Sequence, residues 1–259
     1  TPLGILPGAL AGRGDESVTG LAASITLGAG QFCTKPGVVF LIAGDRTERF
    51  VSALAQQIEQ APGYTMLYEQ IRANYERGTS AVAKTPAVRT HVAAKCAPPT
   101  NANAALYEVD SDRWRKDDTL RHEVFGPAAI IVRCADLDDL CATLPAAGGN
   151  LTGSVHHGKS DAHADVQRVA DTLERQVGRL VHNGYPTGVE VCPAMVHGGP
   201  YPATTAADTT SVGTLALRRF TRPVCYQNTP QNLLPPALRD DNPLNLWRTI
   251  DGELTRDAV

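Results

Sequence analysis

Residues 28–43 read Gly28-Ala29-Gly30-Gln31-Phe32-Cys33-Thr34-Lys35-Pro36-Gly37-Val38-Val39-Phe40-Leu41-Ile42-Ala43. The first ten are a loop. Glycines at 28, 30 and 37 and a proline at 36 oppose regular structure and allow another backbone or a ligand to come close. A cysteine sits at the tip of the loop. The next six are continuously apolar and partly β-branched, which predicts a short strand buried on both faces. A thiol presented on such a loop suits a nucleophile better than a packing residue.

Upstream, Val18, Leu21, Ala22 and Ile25 recur at helical spacing, so residues 15–27 are expected to form a helix delivering the chain to the loop. Downstream, Thr47 is expected to cap a helix to Gln60, and a second helix carrying Leu67, Ile71 and Tyr75 to end at Gly78. Strands are expected at Val88–Val92, Ala104–Val109, Ala128–Val132, Leu151–His156 and Arg179–Asn183. Helices opened by Asp136 and Asp161 fall between the last three, the second closing at Gly178. Strands alternating with helices predict an α/β fold, a mainly parallel open sheet with helices on both faces. A long loop from Gly184 to Val212 reads as functional or packed against a partner. The segment after Leu217 reads as an arm.

Composition narrows the class. The 259 residues are 42% hydrophobic and 20% charged, with a net charge of −3. No basic cluster marks a nucleic-acid surface, and no apolar run approaches the roughly 20 residues that cross a bilayer. Six cysteines, at 33, 96, 134, 141, 192 and 225, show neither C-x-x-C nor zinc-finger spacing. They are expected to be mostly free thiols in the core, in a reducing cytoplasmic compartment. His122, His156, His157, His182 and His197 show no ligand spacing, so no metal is implied. No G-x-G-x-x-G follows a strand. The start, Thr1-Pro2-Leu3-Gly4-Ile5-Leu6-Pro7, reads like the interior of a domain, so a fragment of a longer protein is expected.

Three stretches together carry a resemblance. Gly30-Gln31-Phe32-Cys33 resembles the nucleophile loop of the aldehyde dehydrogenase superfamily. Glu123-Val124-Phe125-Gly126-Pro127 resembles its E-x-F-G-P coenzyme motif. Gly178-Arg179-Leu180-Val181-His182-Asn183 resembles its G-x-x-x-x-N strand. The wording of the loop, with Pro186-Thr187-Gly188-Val189-Glu190-Val191 and Arg222-Pro223-Val224-Cys225-Tyr226-Gln227, is similar to the α-ketoglutaric semialdehyde dehydrogenase branch. A neighbouring branch is the NADP-dependent fatty aldehyde dehydrogenases.

The resemblance implies NAD(P)-dependent oxidation of a small-molecule aldehyde to an acid, α-ketoglutaric semialdehyde first, with NAD or NADP as cofactor. It implies that Cys33 is the catalytic thiol and that Glu123 and Phe125 hold the nicotinamide ribose and ring. Gln31, Phe32 and Thr34 would shape the loop, and Tyr185, Pro186 and Thr187 would lie on the substrate loop. Asn183 is expected to tie a loop to the sheet. It also implies a catalytic domain over 1–216 and an oligomerisation arm over 217–259. Residues 218–227 would pair copies into a homodimer or homotetramer. The coenzyme domain, the base glutamate and an oxyanion asparagine would lie before Thr1, so residues 1–259 alone are expected not to oxidise aldehydes. Two alternatives stay open at this point. One is a thiol esterase or acyl-transfer module that needs no coenzyme; the other is a non-catalytic oligomerisation module.

Overall fold

The computed structural model describes residues 1–259. In chain order its larger unit contains β1 (Pro2–Ile5), α1 (Pro7–Thr26), β2 (Val38–Ile42), α2 (Asp45–Gln60), β3 (Tyr64–Thr65) and α3 (Glu69–Lys84). Then come β4 (Arg89–Val92), β5 (Cys96–Ala97), β6 (Asn101–Ala102), β7 (Ala105–Asp110), α4 (Ser111–Lys116) and α5 (Asp118–Arg121). It closes with β8 (Ala128–Cys134), α6 (Leu137–Thr143), β9 (Asn150–His156), α7 (His163–Glu174) and β10 (Val177–His182).

Seven of these strands make one sheet in the order β10-β9-β1-β2-β8-β7-β4. All neighbours are parallel except β4, which runs antiparallel to β7. Strand side chains alternate between faces, and the core divides accordingly. Val39 and Leu41 of β2 pack with Leu21 and Ile25 of α1 and Leu54 and Ile58 of α2. Phe40, between them, points to the other face, which is covered by Tyr75 of α3, Trp114 of α4, Leu140 of α6 and Leu173 of α7. Phe40 meets Trp114 edge to face at 5.1 Å, a favoured aromatic geometry. Both faces are therefore dry, which is why β2 and the Ala128–Val132 part of β8 read as unbroken apolar runs.

Several local expectations are corrected. The first helix starts at Pro7 rather than residue 15, with a kink at Arg13 (φ −141°) between Gly12 and Gly14. Thr47 lies inside α2, its hydroxyl turned back to donate to Ile42 O at 2.6 Å. Gly78 does not end α3. The helix runs on to Lys84, and the missing Cβ at Gly78 leaves room for Val124, which a Cβ there would meet at 3.1 Å. Leu67 is 77% exposed, outside that helix. Asp161 does not open α7. Its two carboxylate oxygens accept from Gly8 N (2.7 Å) and Gly158 N (2.8 Å), so it caps α1 from 153 residues away. Such caps typically contribute about 1 kcal/mol. α7 ends at Glu174, and Gly178 lies inside β10, the half-buried edge strand of the sheet. All six cysteines are free, but only Cys134 is buried; Cys33 and Cys225 are exposed.

A smaller unit, Phe220–Val259, is separate from Thr1–Arg219. It has one antiparallel hairpin, β11 (Arg248–Ile250) with β12 (Glu253–Thr255), and short helical turns at Gln231–Leu233 and Pro236–Leu238. Asn242 holds it together by donating to Leu246 O and Arg256 O and accepting from Leu246 N. No helix of the chain is long and apolar enough to cross a membrane.

Candidate active site

Parallel pairing gathers the site. In the register of β2 against β8, Val38 lies opposite Ile130. The loops that precede these strands, carrying Cys33 and Glu123–Phe125, therefore emerge side by side at the same sheet edge. They touch through glycines. Gly30 has φ +63°, and a Cβ there would lie 2.4 Å from the Gly126 backbone. Below, Lys35 Nζ donates to Ala128 O at 2.6 Å. The long loop reaches the same edge by backbone contact: a Cβ on Gly178 would stand 2.3 Å from Gly198 O, and one on Gly149 would stand 2.4 Å from Tyr201 O.

These loops enclose a cavity of about 470 Å³ whose wall includes Cys33, Lys35, Tyr107, Trp114, Glu123 and Phe125. The Cys33 thiol is exposed, and its Sγ lies 3.5 Å from His197 Nε2. His197 is positioned by its own backbone. Its N–H donates to Thr210 Oγ1 at 2.8 Å, and its carbonyl accepts from Ser211 N and Ser211 Oγ. Its Nδ1 is buried without a partner. Burial, assisted by the nearby Arg179 charge, holds the His197 imidazole below its ordinary pKa. It is therefore neutral at pH 7, the form that accepts a proton. Arg179 donates to Pro186 O at 2.6 Å and Gly188 O at 2.7 Å, and it lies within electrostatic reach of Cys33.

The loop-shaping candidates sit around the thiol rather than on the cavity wall. Gln31 spans two segments, donating to Gly28 O at 3.1 Å and accepting from Leu67 N at 2.9 Å. Phe32 is partly exposed and lies against Gly28; Thr34 is buried. Tyr185, Pro186 and Thr187 run along α1. Tyr185 OH donates to Ser17 O at 2.7 Å, and Thr187 Oγ1 is 3.1 Å from Ser24 Oγ. His156, 2% exposed, bonds Gly184 O at 3.0 Å and anchors the start of that segment. Asn183 Oδ1 accepts from His157 N (2.8 Å) and Arg13 (2.6 Å), joining the turn after β9 to the kink of α1. Glu123 is exposed and makes no hydrogen bond within the chain; Phe125 is half-buried beside it. No group of three His, Cys, Asp or Glu side chains is placed to hold a metal ion.

Sequence reasoning missed His197. It is 164 residues from Cys33, in a loop with no helical or strand period. The only signal was the Gly198-Gly199-Pro200 run beside it, whose bare backbone allows the close approach to β10.

No family model matches the chain. The alpha-ketoglutaric semialdehyde dehydrogenase 2 of Azospirillum brasilense is 46% identical over 253 residues, covering 97% of this chain and 48% of the relative. The alpha-ketoglutaric semialdehyde dehydrogenase of Acinetobacter baylyi is 39% identical over 259 residues, covering 99% and 49%. Among solved structures, the Delta-pyrroline-5-carboxylate dehydrogenase of Mycobacterium tuberculosis bound with NAD superposes with a TM-score of 0.68 at 16% identity. That match covers 90% of this chain and 44% of the other. The chain spans about half the length of the curated relatives it matches. It is thus a homologue of the alpha-ketoglutaric semialdehyde dehydrogenases along nearly its whole length, and its fold is that of an aldehyde dehydrogenase domain.

Proposed function

We propose that this chain carries the nucleophilic part of an NAD(P)-dependent aldehyde dehydrogenase that converts an aldehyde to a carboxylic acid. α-Ketoglutaric semialdehyde is the favoured substrate and α-ketoglutarate the product. The observation that carries the reading is the exposed Cys33 thiol on one cavity with Glu123 and Phe125; the named relatives supply the substrate class.

The residues suit a nicotinamide coenzyme. The unpaired Glu123 carboxylate offers two acceptor oxygens for vicinal ribose hydroxyls, and Phe125 offers a ring edge for a flat heterocycle. Glu123 and Phe125 would hold the nicotinamide riboside of NAD or NADP, which when bound supplies the hydride acceptor. The chain's own residues supply the nucleophile, an oxyanion donor and a base. Cys33 attacks the aldehyde carbon through sulfur, and the carbonyl electrons move to oxygen. The Cys33 N–H, which donates to no group within the chain, is available to that oxygen; such a donor is typically worth about 3 kcal/mol. His197, neutral and 3.5 Å away, takes the thiol proton. Once it has released that proton to solvent, the same imidazole draws a proton from water attacking an acyl thioester on Cys33.

A second reading is favoured by one contact. The Cys33–His197 pair needs no coenzyme to cleave an activated ester, so an esterase activity belongs to the same site. We further assign residues 1–216 to the catalytic domain and 217–259 to an oligomerisation arm. Residues 218–227 would pair copies as a homodimer or homotetramer; 221–227 take part in no strand within the chain. Six free thiols suit a reducing cytoplasm.

The test is aldehyde-dependent formation of NADH or NADPH by the full protein. Glu123→Gln is expected to raise the KM for coenzyme about tenfold, the scale of one lost charged hydrogen bond, while iodoacetamide modifies Cys33 at the wild-type rate. No coenzyme reduction with any semialdehyde, or the reverse pattern in the variant, refutes the assignment. For His197→Gln, ester turnover is expected to fall about a hundredfold, the usual contribution of a general base. The acid limb of the wild-type pH profile, below the ordinary histidine range because His197 must lose its proton to act, is expected to vanish with it. An unchanged limb removes His197 from the mechanism.

A further inference from the structure

Lys35 is the buried lysine of the Cys33 cavity. Its residue is 5% exposed, whereas Arg121 and His122, which also line the cavity, are exposed. An ammonium has three donors. Lys35 uses one, on Ala128 O at 2.6 Å, and no carboxylate lies within ion-pair distance. Glu123 acts on it only through space. Burial without a counter-ion disfavours the charged form and brings its pKa down to about 8. Val38, Tyr107 and Trp114 give the same cavity an apolar part of its wall. The other four lysines, Lys84, Lys95, Lys116 and Lys159, are all exposed.

We propose that Lys35 is a second carbonyl-capturing nucleophile, which forms an imine with short aldehydes that enter the cavity beside Cys33. This rests on the reading that the cavity admits an aldehyde. The neutral amine donates its electron pair to the carbonyl carbon, forming a C–N bond. The carbonyl oxygen takes up the proton that nitrogen releases; the carbinolamine hydroxyl then takes a second proton from solvent and leaves as water, giving the protonated imine. No oxidant or reductant is consumed. The protonated imine keeps one N–H, so the bond to Ala128 O survives capture. At pH 7.5 an amine of pKa 8 is about a quarter neutral, while an ordinary lysine is neutral to about one part in a thousand.

The experiment uses the full protein, propanal and sodium cyanoborohydride, with no coenzyme. Hydride from the borohydride converts each imine to a stable N-propyl lysine, and peptide mass mapping follows the five lysines of residues 1–259 in time. Lys35 is expected to label at least about tenfold faster than any of the other four, a margin well inside the difference in neutral amine. Labelling of Lys35 at or below their rates overturns the proposal, and no variant is needed to read it. The outcome is independent of turnover. Preferential Lys35 labelling in a protein that reduces no coenzyme sinks only the dehydrogenase reading. Coenzyme reduction without Lys35 labelling sinks only this one.

Discussion

Cys33→Ser is expected to lower turnover of a p-nitrophenyl ester by about three orders of magnitude or more. A hydroxyl keeps the shape of the thiol but holds its proton far more tightly. His197, a weak base held below its usual range by burial, cannot ionise it appreciably. Nucleophile replacements elsewhere cost about that much or more, because the residual rate comes only from binding and oxyanion donors. Acyl transfer to the peptide carrying Cys33, seen by mass in rapidly quenched wild type, is expected to be absent in the variant. Turnover within tenfold of wild type would mean that the thiol only packs the loop. A loss of the expected size excludes a purely structural, oligomerising role for the chain.

Gly30→Ala carries the second large effect, on both stability and chemistry. Residues 28–30 all take positive φ (+57°, +58° and +63°), a left-handed turn that carries the chain from α1 to Cys33. A left-handed alanine at position 30 costs roughly 1–2 kcal/mol. The added Cβ would also stand 2.4 Å from the carbonyl of Gly126 and 2.5 Å from Pro127 N, backbone atoms that no rotamer change can move. Overpacking of this kind adds about 1–3 kcal/mol, for a total near 3 kcal/mol, read as a lower urea midpoint. The two loops must separate to fit it. Displacements of about 1 Å at a reacting centre cost on the order of a hundredfold. Ester turnover is therefore expected to fall by that factor in the fraction that stays folded. A variant with wild-type stability and wild-type turnover would show that the close approach of Gly30 and Gly126 does not position the thiol.

The failures of sequence reasoning share one cause. Periodicity reports which face of an element is apolar, and it found Val18, Leu21 and Ile25 of α1 and the strand Val38–Ile42. It did not find the first two turns of α1, where Gly8, Gly12 and Gly14 weaken the helical signal. Those turns are held by the distant carboxylate of Asp161. It stopped α3 at Gly78, although the missing Cβ there serves packing against Val124. Both errors treat a residue as punctuation when its partner lies far along the chain.

For this protein the sequence by itself determined the alternation of strand and helix, hence the parallel sheet. It also determined the loop that exposes Cys33 and, through whole motifs, the likeness to aldehyde dehydrogenases. These follow from local chemistry: side-chain period, backbone freedom at glycine and proline, and residue order within a loop. Only the tertiary structure decided which loops share an edge. The register of β2 with β8 sets Cys33 beside Glu123 and Phe125. Bare backbone at Gly178 and Gly198 lets the long loop bring His197 to the thiol. Burial leaves Lys35 without a counter-ion. Each depends on atoms far apart in sequence, and a pattern confined to neighbouring residues does not encode them.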